Sequence, residues 1–177
     1  MDYLFSETGS QALDYAVVGR TLFAFDFDEL WRAPPPPERA AELRHALRQL
    51  ASQARVAVVS SQPRASLLAQ LPDEIRYVVG RDGEPRLTDG PLSKREALAA
   101  VQQHSRCGAM VVVSKAHAEP LFDDAPSDWL TVQIGAPGPG PARYFVNDAN
   151  EVTALLHALL ARLGGTRALT PPARPAA

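Results

Sequence analysis

Two carboxylates one residue apart, Asp26 and Asp28, close an apolar run in "LFAFDFDELW", residues 22 to 31. An aspartate can attack phosphorus to give an aspartyl-phosphate, and a second acid two positions on can protonate the leaving oxygen. Further along, Ser60 and Ser61 end "RVAVVSS", Lys94 follows Ser93 at a helix start, and Ser114-Lys115 end "AMVVVS". A hydroxyl and a lysine can hold phosphoryl oxygens while charge develops on them. Asp-x-Asp alone is a weak signal, but acids, hydroxyls and a lysine at the ends of successive strands form a stronger one.

The elements that must position these residues alternate between strand-like and helix-like, as in a mostly parallel sheet flanked by helices. "TLFAFDF", 21 to 27, is short, apolar and bounded, as a buried central strand is. "APPPP", 33 to 37, is a stiff loop. From Glu38 a helix follows, with Ala41, Leu43, Leu47, Leu50 and Ala51 near one face. "RVAVVSS" is a second strand, Pro63 opens a helix, "IRYVVG" is a third strand, and "RDGEPRLTDG" is a turn or small hairpin. Ser93 and Glu96 have the spacing of a capping box, so a helix begins there. "AMVVVS", "WLTVQIG" and "ARYFV" are three more strands, the last two separated by the irregular "APGPGPA". "NDANEVTALLHALLARLGG" predicts a capped helix stopped by Gly164 and Gly165. These elements make one α/β domain over 1–165, and the Pro- and Ala-rich tail 166–177 is expected to be disordered. In such a sheet, ligands sit at the carboxyl ends of the strands, where the residues above are placed.

Composition narrows the class. The chain has 177 residues, 46% of them hydrophobic, enough for one full core. Its net charge is −2 and its 18 Lys and Arg are scattered, which argues against a nucleic-acid partner. One cysteine, Cys107, excludes an internal disulfide and reads as a small buried hydrophobe. "MDYLFSETGS" has no positive n-region, and no stretch reaches the roughly 20 apolar residues that span a bilayer. We expect a soluble, cytoplasmic protein without a membrane partner.

"FAFDFDEL", "VAVVSSQP", "YVVGRDGEP", "LSKREAL", "MVVVS" and "YFVNDANEVTALLHAL", in this order, resemble the haloacid dehalogenase (HAD) superfamily of phosphatases, most closely its trehalose-phosphate phosphatase branch. The likeness runs from about Leu22 to Leu163. It implies a Rossmann-like core with Asp26 in the nucleophile position and Asp28 in the acid/base position. It also implies Ser60 as the phosphate-binding hydroxyl and Lys94 as the motif-three lysine.

Three departures carry consequences. The family's first motif runs Asp-x-Asp-Gly-Thr, whereas Glu29 and Leu30 stand here in the last two places. The glycine frees the backbone beside the phosphate and the threonine lends a hydroxyl. Glu29 instead adds charge where a dianion docks, and like charges about 4 Å apart repel by roughly 4 kcal/mol at an effective dielectric of 20. The family's fourth motif supplies Mg²⁺ ligands, but this chain has Ser114-Lys115-Ala116 there, and a lysine is not a ligand. Glu119, Asp123 and Asp124 are the nearest replacements. We therefore expect no metal, with Asp26 and Asp28 as ligands if Mg²⁺ binds. Lys115 is expected to pair with Asp26 and fill the vacated metal position, the alternative being a solvated Lys115 on a loop. Lastly, the interval from Ser60 to Lys94 leaves no room for the cap domain that recognises the sugar and excludes water.

His117 is a candidate substitute base, more often simply a surface residue. His45, His104 and His157 lie on helices without metal-ligand spacing. Trp31 has the choice of stacking on a sugar or anchoring the proline loop, and Trp129 is expected to pack at the head of its strand. Three functional readings stand. The first is a degenerate HAD domain, inactive or very weak, that binds or regulates, with a trehalose-pathway enzyme or a second copy as partner. The second is an active Mg²⁺-dependent phosphomonoesterase acting on a sugar phosphate such as trehalose 6-phosphate through an aspartyl-phosphate on Asp26. The third, a receiver-like phosphoacceptor, fits worse because no aspartate ends the third strand.

Overall fold

The computed structural model describes residues 1–31, 36–84, 87, 92–115 and 121–168, with every side chain in them except those of Glu29, Trp31 and residues 166–168. Seven strands form one sheet: β1 (Asp2–Tyr3), β2 (Thr21–Asp26), β3 (Arg55–Val59), β4 (Tyr77–Val79), β5 (Ala109–Ser114), β6 (Trp129–Ile134) and β7 (Tyr144–Val146). Their spatial order is β1-β7-β6-β5-β2-β3-β4, and every pairing is parallel. The sheet is thus wholly parallel, an α/β Rossmann-like architecture.

Among the described residues six helices flank the sheet: α1 (Glu7–Val18), α2 (Phe27–Trp31), α3 (Pro37–Gln53), α4 (Arg64–Leu68), α5 (Lys94–Ser105) and α6 (Ala149–Ala168). Strand side chains alternate between faces, so each central strand feeds two cores. Phe23 and Phe25 of β2, Val56 and Val58 of β3, and Val111 and Val113 of β5 pack with Leu13, Leu47 and Leu156 from α1, α3 and α6. Leu22 and Ala24, Ala57 and Val59, and Met110 and Val112 pack on the opposite side with Leu98 and Val101 of α5 and with Phe122. Burial on both faces explains why the central strands read as continuous apolar runs.

The chain moves outward from β2 through β3 to β4, returns past β2 to β5, and then moves out the other way through β6 and β7. The direction of winding therefore reverses between β2 and β5, and the crevice above that point collects whatever ends β2, β3 and β5. Asp26, the Ser60-Ser61 pair and Ser114 are those residues.

Several expectations need correction. Strand β2 stops at Asp26, and Phe27 already begins the helical turn α2. The buried face of α3 comprises Leu43, Ala46, Leu47 and Leu50, while Ala41 is exposed. Helix α6 continues through Gly164 and Gly165 to Ala168 instead of stopping there. Glycine lowers helix propensity without forbidding the conformation. Strand β1 and helix α1 were not expected, and the sheet has seven strands rather than six. The proline loop before Pro36, His117, Glu119 and the tail beyond Ala168 lie outside the described residues, and no helix within them is long and apolar enough to cross a membrane.

Candidate functional site: a closed carboxylate–lysine cluster

Strand register places the first pieces. Phe25 of β2 lies opposite Val113 of β5, so Asp26 and Ser114 are the next residues along neighbouring strands and share the face towards α5. The Ser114 hydroxyl accordingly donates to Asp26 Oδ2 at 2.8 Å. Both residues are buried, Asp26 at 2% exposure.

Helix α5 delivers the cation. The Ser93 hydroxyl accepts from the Glu96 amide while the Glu96 carboxylate accepts from the Ser93 amide, the reciprocal capping box expected from the sequence. The cap fixes Lys94 as the first helical residue, where a cation opposes the helix dipole and no stabilisation comes from that source. Its place is explained by what it touches. Lys94 Nζ donates to Asp26 Oδ1 and Oδ2, each at 3.1 Å, and to Asp28 Oδ2 at 2.9 Å. An ammonium has three donors, and these contacts engage all of them.

The loop after β3 completes the arrangement. Ser60 Oγ donates to Asp28 Oδ1 in a short contact, and the Ser61 amide and hydroxyl donate to Asp28 Oδ2 at 2.7 and 2.6 Å. The Asp28 amide turns back to Asp26 Oδ1 at 3.2 Å. Asp26 Oδ1 thus accepts from Lys94 and the Asp28 amide, and Oδ2 from Lys94 and Ser114. Burial alone would raise the Asp28 carboxyl's pKa, but the hydroxyls of Ser60 and Ser61, the Ser61 amide and Lys94 outweigh it and hold the group down at about 2. Burial likewise disfavours the Lys94 ammonium, yet the two carboxylates leave its pKa raised.

Magnitudes favour this closed state. At about 3 Å an ammonium attracts each carboxylate by about 5 kcal/mol at an effective dielectric of 20, more than the roughly 3 kcal/mol by which carboxylates about 5 Å apart repel. One lysine therefore makes the juxtaposition of two acids tolerable.

The loop bearing the serines is itself braced. The Ser60 amide donates to Val79 O and the Arg81 amide to Gln62 O. The Arg64 amide donates to Asp82 Oδ1, and its guanidinium pairs with buried Glu84 at 3.1 Å. Gly80 sits where a Cβ would lie 2.3 Å from the Arg64 nitrogen and 2.7 Å from Gln62 O, so only glycine lets these backbones approach so closely.

Sequence reasoning named Asp26, Asp28, Ser60 and Lys94, and the structure brings these together with Ser61 and Ser114. The expected Lys115–Asp26 pair is corrected: Lys115 is exposed, and the cation on Asp26 is Lys94. Strand parity is the reason, because Ser114 shares the face of Asp26 and the following residue does not. Leu30 is buried in the core rather than at the phosphate, and the side chain of Glu29 lies outside the described residues. Asp124 lies by α5, its carbonyl accepting from Arg95 at 2.8 Å. Among the described residues His104 stacks edge-on against Tyr77, His157 approaches Glu42, Cys107 is buried, and Trp129 is buried with its indole donating to Gln102.

Mg²⁺, which the resemblance implies, fits this donor set poorly. The ion wants several oxygen ligands in near-octahedral array. Here the oxygen lone pairs of Asp26 already accept four hydrogen bonds, and the end of β5 offers a hydroxyl. Among the described residues no group of three or more His, Cys, Asp and Glu side chains is placed to hold a metal.

No family model matches the chain, and no curated protein does. Solved structures do share its fold. A hypothetical protein from Xanthomonas campestris superposes with a TM-score of 0.62 at 16% identity, covering 97% of this chain and 99% of that one. A trehalose-6-phosphate phosphatase related protein gives 0.61 at 15% identity, covering 82% and 99%. The 3-deoxy-D-manno-octulosonate 8-phosphate phosphatase from Yersinia pestis gives 0.57 at 14%, covering 86% and 88%. At these identities the likeness is one of fold: the chain shares a Rossmann-like α/β core with these proteins.

Removing one partner from a buried ionic cluster costs far more than replacing the cluster. Lys94→Met should destabilise the protein by about 3–5 kcal/mol in urea denaturation, and adding Asp26→Asn should restore about half of it. A loss under about 1 kcal/mol contradicts the cluster. The acid limb gives a second test. Asp28's folded pKa lies below its unfolded value of roughly 4, so its contribution is complete above that value and disappears as pH falls towards about 2. Thermal melts should therefore lose about 2 kcal/mol between those limits, and Asp28→Asn should flatten this limb. Lys94, with its pKa raised, keeps its contribution until the solution is strongly alkaline.

Proposed function

We propose that this chain is a degenerate HAD phosphatase-like domain of the trehalose-phosphate phosphatase type, without a cap, that has little or no catalytic activity and serves as a binding or regulatory module. The observation that carries this reading is the closure of the cluster: every Lys94 donor is engaged by the two aspartates, and Asp26 accepts four hydrogen bonds. A nucleophile needs a free lone pair aimed at phosphorus, and an acid/base group needs a pKa near the working pH. Asp26 lacks the first and Asp28, at about 2, lacks the second.

The remaining phosphate-site groups are equally committed. Ser60 spends its hydroxyl proton on Asp28, so it has none for a phosphoryl oxygen. Two carboxylates and one ammonium also leave a net negative charge facing an incoming dianion. Between Ser61 and Ser93 the described chain forms only α4, β4 and the tight Gly80–Gly83 turn, which supports a site without a lid. The partner we propose is a trehalose-pathway enzyme, in line with the fold shared with a trehalose-6-phosphate phosphatase related protein, or a second copy of the chain, and the location we propose is the cytoplasm.

A second reading rests on a specific observation: Asp26, Asp28, Ser60 and Lys94 do meet in one crevice. An active phosphomonoesterase, hydrolysing a sugar phosphate through an aspartyl-phosphate on Asp26, would use the same four residues. It would require the Asp26 contacts to open and an oxygen donor for Mg²⁺ from outside the cluster. Hydrolysis of para-nitrophenyl phosphate, with and without Mg²⁺, separates the readings. We expect wild type and Asp26→Asn to agree within about twofold. A Mg²⁺-dependent rate about a hundredfold above the variant establishes the enzyme instead.

A further inference from the structure

Helix α1 covers only part of the sheet face it lies on. Its Ser10 and Asp14 side accepts hydrogen bonds from Arg162 of α6, and the opposite flank carries Ala12 and Ala16. Beneath that flank a cleft of about 450 Å³ opens, with Ala12 and Ala16 on one wall and Ala109 and Val111 of β5, Leu130 of β6 and Tyr144 of β7 on the other. Protein interiors are normally close-packed, so a gap of this size between such small residues is unusual. The cleft lies at the amino ends of the strands, where Thr21 and Ala109 begin β2 and β5, at the far end of the sheet from the aspartate–lysine cluster.

Beside the cleft stand the two most exposed large apolar side chains among the described residues, Tyr15 at 83% and Val18 at 75%. They are about one turn apart on α1. A lone exposed apolar residue needs no explanation, but an aromatic ring on the lip of an apolar cleft, with a valine next to it, has the form of an interface.

A second copy of the chain fits this surface. Knob and hole occur on the same patch, so a two-fold axis passing near Tyr15 carries each tyrosine into the other copy's cleft, an isologous contact. A cavity of about 150 Å³ already admits benzene, which leaves ample room here for a phenol ring. Charge complementarity points the same way. Asp128 and Arg143, of opposite sign, both line the cleft. Arg143 has no carboxylate partner among the described residues, and Asp128 accepts from Gln102 at 2.6 Å through one oxygen and keeps the other. The same axis sets each copy's arginine against the other's aspartate, whereas a purely apolar ligand leaves both charges unanswered. A net charge of −2 adds little repulsion between copies.

We infer that the chain forms a two-fold homodimer through this patch, with Tyr15 of each copy seated in the α1–β5–β6 cleft of the other and Arg143 facing Asp128 across the axis. The patch is remote from the aspartate–lysine cluster, so the contact holds whether or not that cluster is catalytically active.

Sedimentation equilibrium of the full chain, as wild type, Tyr15→Ser, Arg143→Glu and Asp128→Lys, provides the test. Wild type should populate a dimer as concentration rises. Because Tyr15 is exposed, Tyr15→Ser should keep its thermal melt while raising the dimer dissociation constant at least about tenfold. Arg143→Glu and Asp128→Lys should each dimerise poorly alone, since like charges then meet across the axis, and an equimolar mixture of the two should recover wild-type association. If Asp128→Lys, which also loses its Gln102 contact, fails to fold, weakening by Tyr15→Ser and Arg143→Glu decides the matter. A wild type that stays monomeric at every concentration overturns the inference and leaves the cleft to another occupant. A dimer unmoved by Tyr15→Ser overturns it too, as do two folded charge variants whose mixture remains monomeric.

Discussion

One ammonium group holds the centre of this protein together. Lys94 Nζ lies within 3.1 Å of both oxygens of Asp26 and 2.9 Å from Asp28. Without that charge, two carboxylates at the end of a buried strand would repel each other in a setting that screens them poorly. With it they form a neutralising bridge between β2, its following turn and α5. The serines extend the bridge to β3 and β5, so five elements meet through one polar cluster.

The sheet makes that meeting possible. Parallel strands all point their carboxyl ends in one direction, and the reversal of winding between β2 and β5 leaves a crevice there. Proteins with this fold use such crevices for ligands. Here the described acceptors and donors at that crevice are matched to one another. The same geometry ties Asp26, Asp28, Ser60, Ser61, Lys94 and Ser114 to one another at the ends of three strands and the start of α5.

Much of this was legible in the sequence, and the failures have physical causes. Apolar runs such as "RVAVV" and "AMVVV" mark strands because both sheet faces are covered. Ser93 and Glu96 announce the start of α5 because a capping box is local chemistry. Strand β1 was invisible because its two residues pair with Tyr144 and Phe145, far away in sequence. Helix α1 carries a readable sign in Leu13, Ala16 and Val17 at helical spacing, but its Gly9, Ser10 and β-branched end weaken the pattern. At the site, residue types sufficed to find Asp26, Asp28, Ser60 and Lys94. Choosing between Ser114 and Lys115 required the register of β5 against β2, which a continuous apolar run does not reveal. That Asp28 accepts from both Ser60 and Ser61 depends on how the loop folds, and no spacing rule reveals it.

The central claim is that the Lys94 ammonium neutralises the aspartate pair. Nitrogen-detected NMR of the lysine ammonium groups reads this directly at neutral pH, with assignment by Lys94→Arg. The account predicts a protected Lys94 signal, slow to exchange with water, that is unmoved by millimolar Mg²⁺. A Lys94 signal that exchanges freely, or that shifts saturably as Mg²⁺ is added, would contradict it.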